Sequence, residues 1–333
     1  MNSENKDTTA SEDKVRMKSE LSLKDEWNIQ IKDFNWAFVI FHLISHIIAV
    51  YGILTFPYLS HKLTALWFYA YYVFVLCGQL AGAHRLWSHR SYKAKLPLRI
   101  ILACAYYGAG HFKLRHWVKV HRLHHKYTDT DADPHNINRG FWFAHMGWYL
   151  LPKHPEVLKR LKEIDMSDIN ADPVVNFGDK HFVIVTLLMA FILPTLVPVF
   201  FWNESWYWAI ITQCFIRYEA VVHAISSINS FSHMFGYKPY DRKIKATNNL
   251  IVQFIVNGEG WHNFHHVFPW DYRTGEIAYI DYNVVLHFIN LFKKIGWAYD
   301  CKQASDELIR KVTEKRSDKS NPLGITEVSE GEN

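Results

Sequence analysis

LTALWFYAYYVFVLCGQLAGAHRLWSH, residues 63–89, is the stretch on which the fold turns. Residues 63–83 carry no formal charge. An α-helix rises about 1.5 Å per residue, so roughly 20 apolar residues cover the about 30 Å of a bilayer's hydrocarbon core. The run ends directly on two histidines, His84 and His89. Three more runs of comparable length lie near 36–59, 181–201 and 206–228, and a shorter one at 96–110 is too brief to span. The chain therefore reads as an all-α membrane protein with four transmembrane helices and an interfacial or buried helix at 96–110. Pro194 and Pro198 are expected to kink the third span. Arg217 and Glu219 in the fourth are expected to face protein or its aqueous end.

Short polar connectors, Ser60-His61-Lys62 and 202–205, join the spans into two hairpins. Phe200, Phe201, Trp206, Tyr207 and Trp208 around the second form an interfacial aromatic belt. An even number of crossings returns the chain to its starting side, so everything after the second and fourth spans shares one face. Residues 84–128 contain ten Lys and Arg and no Asp or Glu, which marks that face as cytosolic. These cations serve topology and anionic lipid heads, or bind a phosphate-bearing headgroup. Asn203-Glu-Ser205 is a glycosylation sequon on the opposite side, too close to the bilayer to be modified.

Three histidine clusters occupy the cytosolic side: His84 with His89; His121, His124 and His125; and His262, His265 and His266. Positions i, i+3 and i+4 share a helix face, so each trio can aim imidazoles at one place. His84 and His89 stand about 140° apart on a regular α-helix and suit two neighbouring points better than one. Eight imidazoles exceed the four to six ligands of a single ion, so two metals are expected. His233 and Asn229, i and i+4, are a further ligand and a partner for a metal-bound water. Cys77, Cys104, Cys214 and Cys301 are scattered, and imidazole without thiolate suits Zn, Cu, Fe or Ni. Asp129, Asp131, Asp133 and Glu259 are available to orient ring N–H groups. His42 and His46 also lie at i and i+4 and are read as packing groups, a polar helix contact or a bis-histidine haem site. His111, His116, His135, His145 and His223 are read as structural or supporting.

Hydrophobic residues at 49% and aromatics at 16% are on the high side for a soluble protein. The charged ends, about 1–25 and 303–333, read as mobile tails. No N-terminal apolar run follows positive charge, so no cleavable signal is expected. Unpaired cysteines agree with a reducing face. No nucleic-acid partner is expected.

Ala83–Ala94, Asp129–Asn136 and Gly258–Tyr272 resemble the membrane acyl-CoA desaturases of the stearoyl-CoA type. Phe191–Pro198 and, in the manner of insect members, Ile295–Asp300 extend the likeness to about residues 27–312. The resemblance implies a four-helix membrane stem under a cytosolic cap built from 84–180 and 229–302, within a desaturase domain at 26–302. It implies two Fe2+ ions held by His84, His89, His121, His124, His125, His233, His262, His265 and His266, with Asn229 acting through a water. All ten positions are filled. The implied reaction is O2-dependent removal of two hydrogens from a fatty acyl-CoA. Electrons would come from cytochrome b5 and its reductase, at the endoplasmic reticulum membrane with both termini cytosolic. An unactivated C–H bond has no acidic proton, so side-chain acid–base chemistry alone cannot cleave it, and regiochemistry must come from positioning.

Some positions depart from the family pattern. Trp36-Ala37-Phe38, Lys119-Val120 and Pro152-Lys153 stand where relatives carry headgroup-contacting residues, so Lys119 and Lys153 are the expected phosphate partners. Ile225-Ser226 replaces a Thr-Trp pair of the acyl tunnel, and loss of an indole is expected to alter chain length or double-bond position. Sister di-iron enzymes that hydroxylate or conjugate acyl chains are the alternative within the class. A non-enzymatic histidine-rich metal-binding membrane protein or cytochrome is the alternative outside it.

Overall fold

The computed structural model describes residues 29–275 and 282–319, so the expected tail at 1–25 lies outside the described residues. Asn35 accepts the Phe38 N–H and opens α1 (Trp36–Thr55), supplying a partner the first helical amides lack. α1 turns Leu43, Ile44, Ile47 and Leu54 outward, the reverse of a water-soluble helix. The main helices that follow are α2 (Lys62–Ser88), α3 (Leu96–Tyr107), α4 (Leu114–Tyr127), α5 (Pro155–Leu161), α6 (Pro173–Lys180), α7 (Phe182–Trp202), α8 (206–230), α9 (Leu250–Ile255), α10 (His262–Val267), α11 (Val284–Lys294) and α12 (Asp306–Arg316).

Among the described residues α1, α2 and α7 are long and apolar enough to cross a membrane, with mean hydropathies of 2.2, 1.4 and 2.5. α8 is long enough but falls outside that group, because Gln213, Arg217, Glu219, His223 and three serines dilute its apolar character. Those polar groups turn inward: Arg217 is 0% exposed and Glu219 4%. α3 is the expected short helix, with Leu98, Leu102 and Ala105 buried.

The prolines of α7 explain the buried arginine. A proline frees the carbonyl four residues earlier from its helical bond. Pro194 frees Ala190 O, which accepts from the Arg217 guanidinium; Pro198 frees Pro194 O, which accepts from Trp67 Nε1 at 2.9 Å. Arg217 also donates to Gly108 O at 2.9 Å and Gln213 O at 3.1 Å. The winding just before Pro194, residues 187–192, widens into π-type turns, and α7 continues through both prolines.

The connectors after α1 and α7 meet. His61 Nδ1 lies 2.7 Å from Glu204, Thr64 donates to the same carboxylate, and Trp202 Nε1 donates to Thr64 at 2.9 Å. At the opposite ends of the helices the chain builds the histidine-bearing part.

Besides helices and the loops between them, the described residues hold one two-residue antiparallel ladder, Lys93–Ala94 against Ala298–Tyr299, and isolated bridges from Asn248 to Tyr237 and Trp261. Gly296, at φ 73, reverses the chain after α11 and brings 298–299 alongside 93–94. The segment read as a C-terminal tail from 303 begins instead with α12, N-capped by Ser305. Ile309 and Val312, one turn apart, pack on Tyr240, Phe264 and Phe268. A charged helix needs only this narrow apolar stripe to dock, and composition alone hid it.

Candidate metal centre

α2 does not end as a regular α-helix. Its last part, 78–88, winds in wide π-type turns, and the His89 N–H donates to His84 O at 3.1 Å, an i→i+5 bond. Residues five apart then stack on one face. This corrects the expectation that His84 and His89 would serve separate points: both join one group with His121, His125 and His265.

The trios are also corrected, because neither aims at a single place. In α4 the i and i+4 pair, His121 and His125, turns to the first group, and His124 turns to a second. In α10 His262 and His266 form the i and i+4 pair of the second group, and His265 crosses to the first. His233 completes the second group. Each short helix thus feeds both groups. Within each group the offered ligand atoms lie within 4.8 Å of one another.

Facing Nε2 atoms stand 2.8 Å (His89–His121), 2.9 Å (His84–His265) and 3.0 Å (His125–His265, His233–His262, His262–His266) apart. Two nitrogens about 2.1 Å from one ion at right angles would be about 3.0 Å apart. His124 Nε2 is buried with no hydrogen-bond partner, and its Nδ1 faces Asp133 at 2.9 and 3.0 Å. Burial, then the neighbouring rings, holds His89, His121, His125, His262, His265 and His266 well below the ordinary imidazole range. Neutral rings present lone pairs, and the donor set fits two first-row ions.

Carboxylates back the rings. Asp133 faces His124, Glu259 lies 3.3 Å from His84 Nδ1, and Asp129 3.3 Å from His233 Nδ1. Asp131 does not take part; it pairs with Arg139 at 2.9 Å. Arg85, counted among the surface cations, is instead buried: its Nε donates to Glu259 at 2.8 Å and its Nη1 to Tyr272 O at 2.9 Å. Others of the basic stretch also have internal partners. Arg90 and Arg122 bind Asp168, Arg99 binds Asp172 and Lys93 binds Asp300.

A cavity of ≈ 390 Å³ reaches the centre. Its walls include Phe38, Leu80, Val120, Val222 and Ile228, and His84, His121, His124 and His262 border it. Ile225, Ser226 and Asn229 line it as well. Lys119 and Lys153 do not, but both act electrostatically on His116, a wall residue. Trp117 stacks on the His121 ring at 4.9 Å.

Asn263 was not anticipated. Its Oδ1 accepts from Tyr240 N and Asp241 N at 2.8 and 3.1 Å, and its Nδ2 donates to Asp241 O and Ala246 O at 3.0 and 2.8 Å. It ties α10 to the 240–248 loop. An asparagine inside a short helix is a weak helix former and was the available signal.

The fatty acid desaturase family model matches residues 60–273. The chain is 44% identical to the acyl-CoA Delta(11) desaturase of Spodoptera littoralis, over 85% of this chain and 83% of that protein. It is 42% identical to the acyl-CoA Delta-9 desaturase of Acheta domesticus, over 86% and 80%. It is 39% identical to the acyl-CoA Delta-12 desaturase of Tribolium castaneum, over 83% and 77%. Because the matched span runs from before α2 to beyond α10 and holds every histidine of both groups, the chain belongs to the fatty acid desaturase family of oxidoreductases.

Proposed function

We propose that the protein is an acyl-CoA desaturase that converts a –CH2–CH2– unit of a fatty acyl chain to –CH=CH–. O2, two electrons and two protons are consumed and two waters released. The observation that carries this reading is the apolar cavity bordered by His84, His121, His124 and His262.

The nine histidines would hold two irons, with Asn229 steadying a water, and the irons supply O2-dependent oxidising power when bound. The chain's own residues do the rest. Leu80, Val120, Val222, Ile225 and Ile228 take the acyl chain out of water, at about 0.8 kcal/mol per buried methylene. Asp133, Glu259 and Asp129 orient the rings, and the Trp117 stack holds His121. Lys119 and Lys153, near His116, suit the phosphates of a CoA headgroup.

The protein would span the endoplasmic reticulum membrane four times, with α8 as the fourth span. The contact between the two connectors supports two hairpins with their tips on one side. The centre and the termini would then be cytosolic, within a cap and a 26–302 domain. Cytochrome b5, reduced by its reductase, would deliver electrons to the basic face. The three relatives carry three different positional names, so position is a property of the cavity, and Ile225-Ser226 is where this chain would set it.

Expression in desaturase-deficient yeast with mass spectrometry of the fatty acids tests the proposal. Unsaturated products are expected from the native chain and none from His265→Ala. Equal products from both would refute the site, and purified protein free of iron would refute the chemistry.

A further inference from the structure

A third group of ligand-type side chains lies outside the nine-histidine centre. His42 and His46 of α1 and Glu219 of α8 place one ligand atom each within 4.8 Å of one another. His42 Nδ1 is 3.5 Å from Glu219 Oε1, and His46 Nε2 is 3.5 Å from Glu219 Oε2. His223, one turn along α8, brings its Nε2 to 2.8 Å from His46 Nε2.

Three observations point to an ion between them. Both Glu219 oxygens and His42 Nδ1 are buried without a hydrogen bond of ordinary geometry among the described residues, the nearest polar groups being His42, His46 and Ser45 around the carboxylate. A buried carboxylate on an apolar helix needs a cation. Arg217, two residues away, is not that cation, because its guanidinium donates to the carbonyls of Gly108, Ala190 and Gln213. Second, His46 Nδ1 lies 2.6 Å from His42 O, so it carries the proton and Nε2 presents a lone pair. Third, the 3.5 Å separations are close to the about 3.4 Å expected between ligands at about 2.1 Å from a tetrahedral ion.

We propose that His42, His46 and Glu219 bind one divalent transition-metal ion, with zinc the best match to imidazole and carboxylate ligands and a water in the fourth position. His223 stands against the His46 ring from outside the group, its Nδ1 3.0 Å from His145 Nε2, and His145 is held by Ser230 at 2.8 Å. The ion enters through the cavity, which His42 lines. Bound there, it clamps α1 to α8 beside the acyl cavity and has no part in electron transfer.

Full-length protein in detergent is loaded with Zn2+, freed of loosely held ion by gel filtration, and analysed for metal per chain by elemental mass spectrometry. Glu219→Gln and His46→Gln are each expected to hold one ion fewer than the native chain, and to show a smaller rise in unfolding temperature with Zn2+ than the native chain does. Equal metal content in native and variant proteins overturns the proposal. Crystals of the unaltered protein soaked in Zn2+ give a test free of variants. An anomalous-scattering peak among His42, His46 and Glu219 is expected, and a map without one overturns it.

Discussion

Asp133→Asn separates the two metal groups. Asp133 is 1% exposed and fully engaged: both oxygens face His124 Nδ1, Oδ1 accepts from His135 N at 2.8 Å, and Oδ2 accepts from Asp129 N at 2.8 Å. Burial alone would push the His124 ring toward neutrality, but the Asp133 carboxylate outweighs it and raises the ring's basicity. An asparagine removes the charge and turns an NH2 group toward one of two backbone N–H donors. A hydrogen bond to a charged group contributes about 1.5–3 kcal/mol, and loss of such an outer partner typically weakens metal binding about 10–100-fold. At about 1.4 kcal/mol per tenfold, the two figures agree on about 2 kcal/mol, roughly 30-fold. The loss falls on the group of His124, His233, His262 and His266. Competition with a chelator, followed by iron analysis, should show one ion leaving the variant at roughly 30-fold lower chelator concentration while the other stays. Two ions retained with native affinity would refute the assignment of Asp133, and loss of both together would refute the division into two groups.

Ser226→Trp is expected to fill part of the cavity and shift the products toward shorter chains, as read by mass spectrometry of yeast lipids. Gly78→Ala should lower the unfolding temperature sharply. Its Cβ would lie 2.2 Å from Tyr106 N and 2.3 Å from Ala105 C, backbone that cannot swing away, at about 3 kcal/mol or more. Arg217→Met leaves three buried carbonyls without their donor, including the one that Pro194 freed, and should destabilise the protein by about 3 kcal/mol. Thermal unfolding in detergent measures both, and an unchanged transition in either case would contradict the packing described.

Much of the centre was legible because its signals are local. Residue types and short spacings marked all nine histidines, and Asn229 and His233 stood out as an i, i+4 pair. What spacing could not show is where each ring points. A regular helix over 84–89 would set the two rings apart, and the π-type winding of α2 moves His89 by a fraction of a turn into the group of His84. Likewise Arg85 looked like any other cytosolic cation until the fold delivered Glu259 to it from 174 residues away.

By itself the sequence determined the helical class, three of the apolar segments that can cross a membrane, and the ligand types, since hydropathy and helical period are written along the chain. Only the tertiary structure decided how the histidines divide between two groups, which carboxylate backs which ring, and that α12 docks instead of trailing. It also brought His46 against His223, 177 residues apart. Such contacts depend on how helices pack, and packing is settled by the shapes of side chains that meet only after the chain has folded.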